Sequence, residues 1–241
     1  PQPVPNWFRE DAKYKSAAPR PDGSLVACGN WYGKLLFVSP EGKTVFSNAK
    51  LMSRGIYCLS WSLDGRWLLS LADNHPNPLQ PNGCFVWDCA GGEPIAKRVF
   101  RKAEPPLNVG VVLPDGKTLF CGCRDNTAIF WSIEADKQIG PTLGFVNSVT
   151  AVGCSADGTR VLTGSRDGIA RVWETQTGKP LTEPMRHRAE ITSVVFSPDS
   201  TRVLTTSHDG TARIWDAESG LPLGPAFRHT EGVMQASWRP D

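Results

Sequence analysis

The sequence predicts an all-β chain built from one small antiparallel sheet repeated along its length, and three observations predict it. An aspartate in a Pro-Asp-Gly-like turn returns at Asp22, Asp64, Asp115, Asp157, Asp199 and Asp241, at intervals of 42, 51, 42, 42 and 42 residues; a fixed period of this size marks a repeat architecture. A tryptophan closing a short apolar run returns at Trp87, Trp131, Trp173 and Trp215, in nearly the same register. Within each unit the apolar residues come in short runs and never sustain the 3.6-residue spacing of a helix.

The last complete unit justifies each element in turn. Its first strand is Ile191-Thr192-Ser193-Val194-Val195-Phe196, followed by the turn Ser197-Pro198-Asp199-Ser200 and a second strand, Arg202-Val203-Leu204-Thr205-Thr206. Proline presets the first turn position, aspartate bonds its own backbone, and the glycine of the sister turns takes the positive φ that returns the chain to the sheet. A polar turn, His208-Asp209-Gly210, leads to the third strand, Thr211-Ala212-Arg213-Ile214-Trp215, and a weaker fourth is expected near Leu221 to Leu223. The first strand is apolar on both faces, with Val194 and Phe196 on one side and Val195 on the other. Each sheet must therefore be covered on both faces, and neighbouring copies supply the cover. Such a stack of four-stranded sheets protects its edges by radial closure into a β-propeller. The long interval carries a polar, proline-rich insertion, Asp73 to Gly83, read as a loop. The first unit is degenerate: Gly33 keeps its turn, but Tyr32 stands in the aspartate position and Val38 in the tryptophan position.

The Trp-Asp pairs at 87–88 and 215–216, the Asp-Gly pairs at 167–168 and 209–210, and the period make the chain resemble the WD-repeat (WD40-type) β-propellers over residues 14 to 241. The resemblance implies five blades at about 14–54, 55–104, 105–146, 147–188 and 189–229, and the start of a sixth at 230–241. Seven blades is the usual count, and seven such units would need roughly 303 residues, so a segment of a longer propeller is expected. The linking phrases Gly178-Lys179-Pro180-Leu181 and Gly220-Leu221-Pro222-Leu223 resemble bacterial WD repeats, which are often attached to Ser/Thr protein kinases or other signalling domains.

In the family a histidine before the first strand, a serine or threonine of the second, the aspartate of the next turn and the tryptophan of the third form a hydrogen-bonded tetrad. By position these are His187, Thr205, Asp209 and Trp215. A base, nucleophile and orienter could be assembled from the first three, but a buried aspartate needs partners, and the set reads better as a structural network. Other units keep fragments of it. Thr163, Asp167 and Trp173 face Phe145, and Cys121, Asp125 and Trp131 face Ala103. Arg171 and Arg213, two residues before a tryptophan, are read as stems lying over the rings.

The balance of 26 Lys and Arg against 24 Asp and Glu gives a formal charge of +2, without the broad positive field expected of a nucleic-acid or membrane binder. No window approaches the 18 consecutive apolar residues of a membrane helix. Seven cysteines form no Cys-x-x-Cys pair and four histidines are scattered, so neither a metal nor another cofactor is expected. An odd number of scattered thiols favours a reducing, cytoplasmic location.

Propellers bind through loops held on a rigid scaffold. The resemblance implies a favoured face, carrying the residues just before each turn aspartate (Trp31, Asp73, Arg124, Arg166 and His208) and those beginning each first strand (Tyr57, Asn108, Thr150, Thr192 and Met234). Arg124, Arg166 and His208 would form a basic sector, with Trp31, Tyr57 and Met234 as apolar anchors. The expected function is non-catalytic: a protein-interaction scaffold in a bacterial signalling protein, docking a protein or peptide segment with acidic or phosphorylated groups. An RNA-binding propeller is the first rival, opposed by the near-neutral charge. A central-channel enzyme is the second, opposed by the want of any P-loop, nucleophile elbow or metal cluster in the sequence.

Overall fold

Twenty strands and no helix are found among the described residues, and the strands form five antiparallel sheets of four. The computed structural model describes residues 14–47, 55–62, 64–72, 84–91, 93–98 and 107–238. The insertion at 73–83, Ala103 and Asp241 lie outside them. The first sheet holds β1 (Tyr14–Pro19), β2 (Val26–Asn30), β3 (Leu35–Val38) and β4 (Thr44–Ser47). The second holds β5 (Ile56–Trp61), β6 (Trp67–Ala72), β7 (Cys84–Asp88) and β8 (Ile95–Arg98). The third holds β9 (Leu107–Val112), β10 (Thr118–Cys123), β11 (Thr127–Ser132) and β12 (Lys137–Gly144). The fourth holds β13 (Val149–Cys154), β14 (Arg160–Ser165), β15 (Ile169–Glu174) and β16 (Met185–Arg186). The fifth holds β17 (Ile191–Phe196), β18 (Arg202–Ser207), β19 (Thr211–Asp216) and β20 (Phe227–Arg228). In every sheet the strands lie in chain order, so each is a meander and a propeller blade.

Local turn chemistry sets the first hairpin of each blade. Ser62, Ser155 and Ser197 each donate a hydroxyl to the aspartate two residues on, at 2.5 Å, and those aspartates accept the backbone N–H of Arg66, Thr159 and Thr201. The next position takes a positive φ: Gly65 at 68°, Gly158 at 71°, and Ser200 at 57°. Ser200 bears the side-chain strain of that region, and its hydroxyl accepts the N–H of Ala156 in the fourth blade at 2.9 Å. In the second hairpin of the first blade, where Tyr32 stands in the aspartate position, Asn30 takes over the turn: its Oδ1 accepts the N–H groups of Tyr32 and Lys34.

Two expectations change. The fourth strand of the last complete unit is not at Leu221–Leu223. There Pro222 makes one isolated bridge to Trp215, and the strand is the two-residue β20. Prolines 222 and 225 have no N–H to donate, so a continuous ladder cannot form. Residues 230–238, expected to begin a sixth blade, contain no strand, although Val233 donates its N–H to Ser207 O at 3.0 Å.

The chain divides into two compact units, Pro1–Glu104 with two blades and Pro105–Asp241 with three. Within the first, Ala27, Leu35 and Phe37 pack with Ile56, Trp61, Leu68 and Trp87. Within the second, adjacent residues of β14 serve different neighbours: Val161 joins Phe120 and Phe130 of the third blade, and Leu162 joins Ile191 and Phe196 of the fifth. This is the alternation of a strand buried on both faces. The blades approach closely at one recurring position. A Cβ on Gly29, Gly122 or Gly164 would lie 2.6, 2.5 or 2.3 Å from the side chain of Ile56, Val149 or Ile191, the residue that begins the next blade.

Candidate functional site: a buried polar network and an exposed turn edge

In the fifth blade, His187, Thr205, Asp209 and Trp215 come together. The Trp215 indole donates to Thr205 Oγ1 at 2.8 Å, Thr205 Oγ1 lies 2.7 Å from His187 Nε2, and His187 Nδ1 lies 3.2 Å from Asp209 Oδ2. One proton arrangement satisfies all of them: the indole donates to the hydroxyl, the hydroxyl to Nε2, and Nδ1–H to the carboxylate. Thr211 completes the set by donating to Asp209 Oδ1 at 2.6 Å. Sequence reasoning missed this residue, but the Asp-x-Thr spacing that signals it recurs at Asp125 and Thr127, also 2.6 Å apart. Burial pushes the His187 imidazole below its ordinary value despite the pull of Asp209. Partial burial opposes ionisation of Asp209, but the Arg188 N–H, the Thr211 hydroxyl and His187 outweigh it and hold the carboxyl at about 2. Thr205 is fully buried and already bonded to both the indole and the imidazole. The Thr205 hydroxyl is thus engaged on both sides, and the residues form one continuous hydrogen-bonded network.

The other blades hold parts of the same device. Trp173 donates to Thr163 at 2.8 Å, with Phe145 against its ring, and Asp167 accepts the Ser165 hydroxyl. Trp87 donates to Ser70 at 2.8 Å. In the third blade the Trp131 indole reaches Asp136 at 3.2 Å. The guanidinium groups of Arg171 and Arg213 lie 5.6 and 5.8 Å from the centres of the Trp173 and Trp215 rings.

In the first unit Lys15 Nζ stands 4.6 Å from the Trp31 ring centre and 5.7 Å from that of Tyr57, so one ammonium joins the two aromatic residues. Trp31 is 53% exposed. Asp73 lies outside the described residues.

In the second unit the expected face separates into two kinds of residue. Asn108 donates to Val149 O at 2.8 Å, Thr150 to Ile191 O at 2.6 Å, and Thr192 to Val233 O at 2.5 Å. Each latches the start of its own blade to a backbone carbonyl 41 residues on. Arg124, Arg166 and His208 are exposed and occupy the first position after β10, β14 and β18. Backbone links join these turns: the Ser148 hydroxyl donates to Arg124 O, Arg166 N donates to Ser148 O, and His208 N donates to Glu190 O. Arg166 Nε lies 3.6 Å from Glu190 Oε2, a solvent-screened pair at a side chain that is 68% exposed. Val146, two residues before Ser148, is 81% exposed, and Met234 is 64% exposed. Sequence reasoning did not single out Val146.

None of the seven cysteines is joined in a disulfide. Among the described residues no group of three or more His, Cys, Asp or Glu side chains is placed to hold a metal, and no helix is long and apolar enough to cross a membrane.

The stacked four-stranded meanders, the turn aspartates and the indole-to-hydroxyl bonds define a WD-repeat propeller segment. The chain belongs to the WD40 family: the family's "WD domain, G-beta repeat" matches residues 44–75, 108–132, 139–174 and 178–216, more than half of the chain. Two of the matched stretches, 139–174 and 178–216, begin in or before the outer strand of one blade and end in the third strand of the next, so there the sequence repeat is offset by one strand from the sheet. No curated protein matches the chain. WD40 repeats generally mediate protein–protein interaction, and their propellers are typically scaffolds without catalytic chemistry.

Proposed function

We propose that this chain is a non-catalytic docking module, the recruiting part of a bacterial signalling protein, and that the edge bearing Arg124, Arg166 and His208 captures a partner segment with acidic or phosphorylated groups. The observation that carries this reading is the linkage of the Arg124 and Arg166 turns through Ser148, which sets two exposed guanidinium groups in adjacent blades on one rigid backbone. Arginine pairs with carboxylate and phosphate in two-pronged fashion, and the exposed Val146, two residues before Ser148, offers an apolar group on the same connection. Asn108 and Thr150 spend their polar groups on backbone carbonyls of the next blade, and Thr192 on Val233 O, which leaves recognition to the turn residues.

A fluorescein-labelled peptide of alternating glutamate and phosphoserine is the test ligand. The double substitution Arg124→Glu and Arg166→Glu is expected to weaken its binding at least tenfold and leave thermal unfolding unchanged. Unchanged affinity would overturn the assignment. Tighter binding of a single-stranded RNA oligonucleotide, falling steeply with salt, would favour the nucleic-acid rival instead.

A further inference from the structure

Comparison of one position across successive blades points to a second site, at the opposite end of the sheets from the turn edge. Three residues after the turn aspartate, the fourth and fifth blades carry arginine. The Arg160 guanidinium lies 5.4 Å from the Phe196 ring centre and donates Nη2 to Ser200 O at 2.8 Å; that of Arg202 lies 5.0 Å from the Trp238 ring centre. Each arginine spans from its own blade to an aromatic residue of the following repeat, beside a turn carboxylate whose charge it stabilises.

The third blade breaks this rule twice. Its turn reads Asp115-Gly116-Lys117-Thr118, so the basic residue comes one place early, where Lys117 is exposed, and a threonine takes the inward place. The aromatic position of the following repeat is Cys154, not Phe196 or Trp238. Where the fourth and fifth blades place the arginine, Thr118 lines a cleft of about 260 Å³ between the third and fourth blades. Leu113, Phe130 and Ile139 form its apolar wall, with Asp115 and Asp157 also on its lining. Gly140, at φ 63° in the bulge of β12, is also on its lining.

The cleft is smaller than the usual small-molecule pocket of about 300–1,000 Å³ and suits a single long side chain. The Ser155 hydroxyl, the Thr159 N–H and the Thr159 hydroxyl hold the Asp157 carboxyl at about 2. Cys154 senses both carboxylates: burial first, then the charges of Asp115 and Asp157, push its thiol up to about 12. Gly158 O, the repeat equivalent of Ser200 O, accepts the Thr175 hydroxyl and keeps a second lone pair.

We propose that this cleft receives an arginine side chain from a basic segment of a partner protein, its methylene stem along Leu113, Phe130 and Ile139 and its guanidinium between Asp115 and Asp157. The guest repeats what Arg160 does one blade on. This proposal is independent of the turn-edge reading, because the two sites share no residue.

The probe is the capped tripeptide Gly-Arg-Gly, titrated into the full chain and followed by the backbone amide signals of Gly116, Thr118, Gly140 and Gly158. Saturable shifts are expected at these four amides, absent with Gly-Glu-Gly. Thr118→Arg, which supplies the guest internally, is expected to abolish them and raise the melting temperature. Asp115→Asn should weaken binding several-fold, and Arg124→Glu with Arg166→Glu should leave it unchanged. No saturable shift, equal response to Gly-Glu-Gly, or full binding by Thr118→Arg would overturn the proposal. Should Thr118→Arg fail to fold, undiminished binding by Asp115→Asn would overturn it.

Discussion

Phe145 stands edge-on to the Trp173 ring, with centres 5.5 Å apart and planes at 71°, and His187 stands against Trp215 in nearly the same way, at 6.1 Å and 66°. The two residues are 42 apart and occupy the same place in successive repeats. One blade fills that place with an apolar ring; the other fills it with a ring that must also satisfy Thr205 and Asp209. The tryptophan-to-threonine bond is 2.8 Å in both. The shared requirement is therefore an aromatic plate against the indole, and the imidazole is one of two solutions.

The histidine solution makes stability depend on pH. Burial depresses the His187 value in the folded state below its ordinary 6.5, so the unfolded chain binds this proton more readily. The contribution of neutral His187 is thus complete above the unfolded value and is lost as pH falls through the folded one. Thermal melts between pH 7 and pH 5 should show a fall that His187→Phe reduces. An identical fall in both proteins would mean that the slope arises elsewhere. Asp209, held at about 2, adds its own loss only in a separate, more acidic range.

Thr150→Val removes the hydroxyl that bonds Ile191 O at 2.6 Å and keeps the side-chain shape. Loss of one such half-buried bond should cost about 1–2 kcal/mol, read as a lower midpoint in urea. Binding at the turn edge should not change. A variant that binds its ligand worse without unfolding more easily would return Thr150 to the recognition surface.

The Cys154 and Cys123 thiols are buried and pushed up, by that burial above all, to about 12 and about 11. At pH 8 the thiolate fraction of Cys154 is about one in ten thousand. Ellman's reagent should therefore modify these two residues only as the blades open, and label them at once in urea. Rapid labelling of either in the native chain, located by peptide mass mapping, would contradict their placement.

Much of the fold was legible because its signals are local. Aspartates, glycines and serines mark the turns within a few residues of the bonds they make, and short apolar runs mark the strands between them. Distant contacts were not legible. Nothing local marks Gly122 and Gly164, whose role follows only from the register that brings Val149 and Ile191 onto them, 27 residues later. Asn108, Thr150 and Thr192 look like surface residues for the same reason, since their acceptors lie 41 residues on, in the next sheet for Asn108 and Thr150 and beyond the last sheet for Thr192. The fourth strand was misplaced because an apolar pair around Pro222 outweighed the missing donor. Arg124, Arg166 and His208 follow from the period together with the face that the family resemblance implies, whereas Val146 and the Ser148 linkage depend on how adjacent turns meet.

Each blade is expected to be stable only against its neighbours. Gly164 is the sharpest place to test it, since an added methyl would lie 2.3 Å from the Ile191 Cγ2 atom and overpacking of this kind costs about 1–3 kcal/mol. Native-state amide exchange of Gly164→Ala is the measurement. Protection is predicted to fall together in β13–β15 of the fourth blade and β17–β19 of the fifth, because Leu162, Val172, Ile191 and Phe196 share one core. Loss confined to β14, with the fifth blade as protected as before, would contradict it.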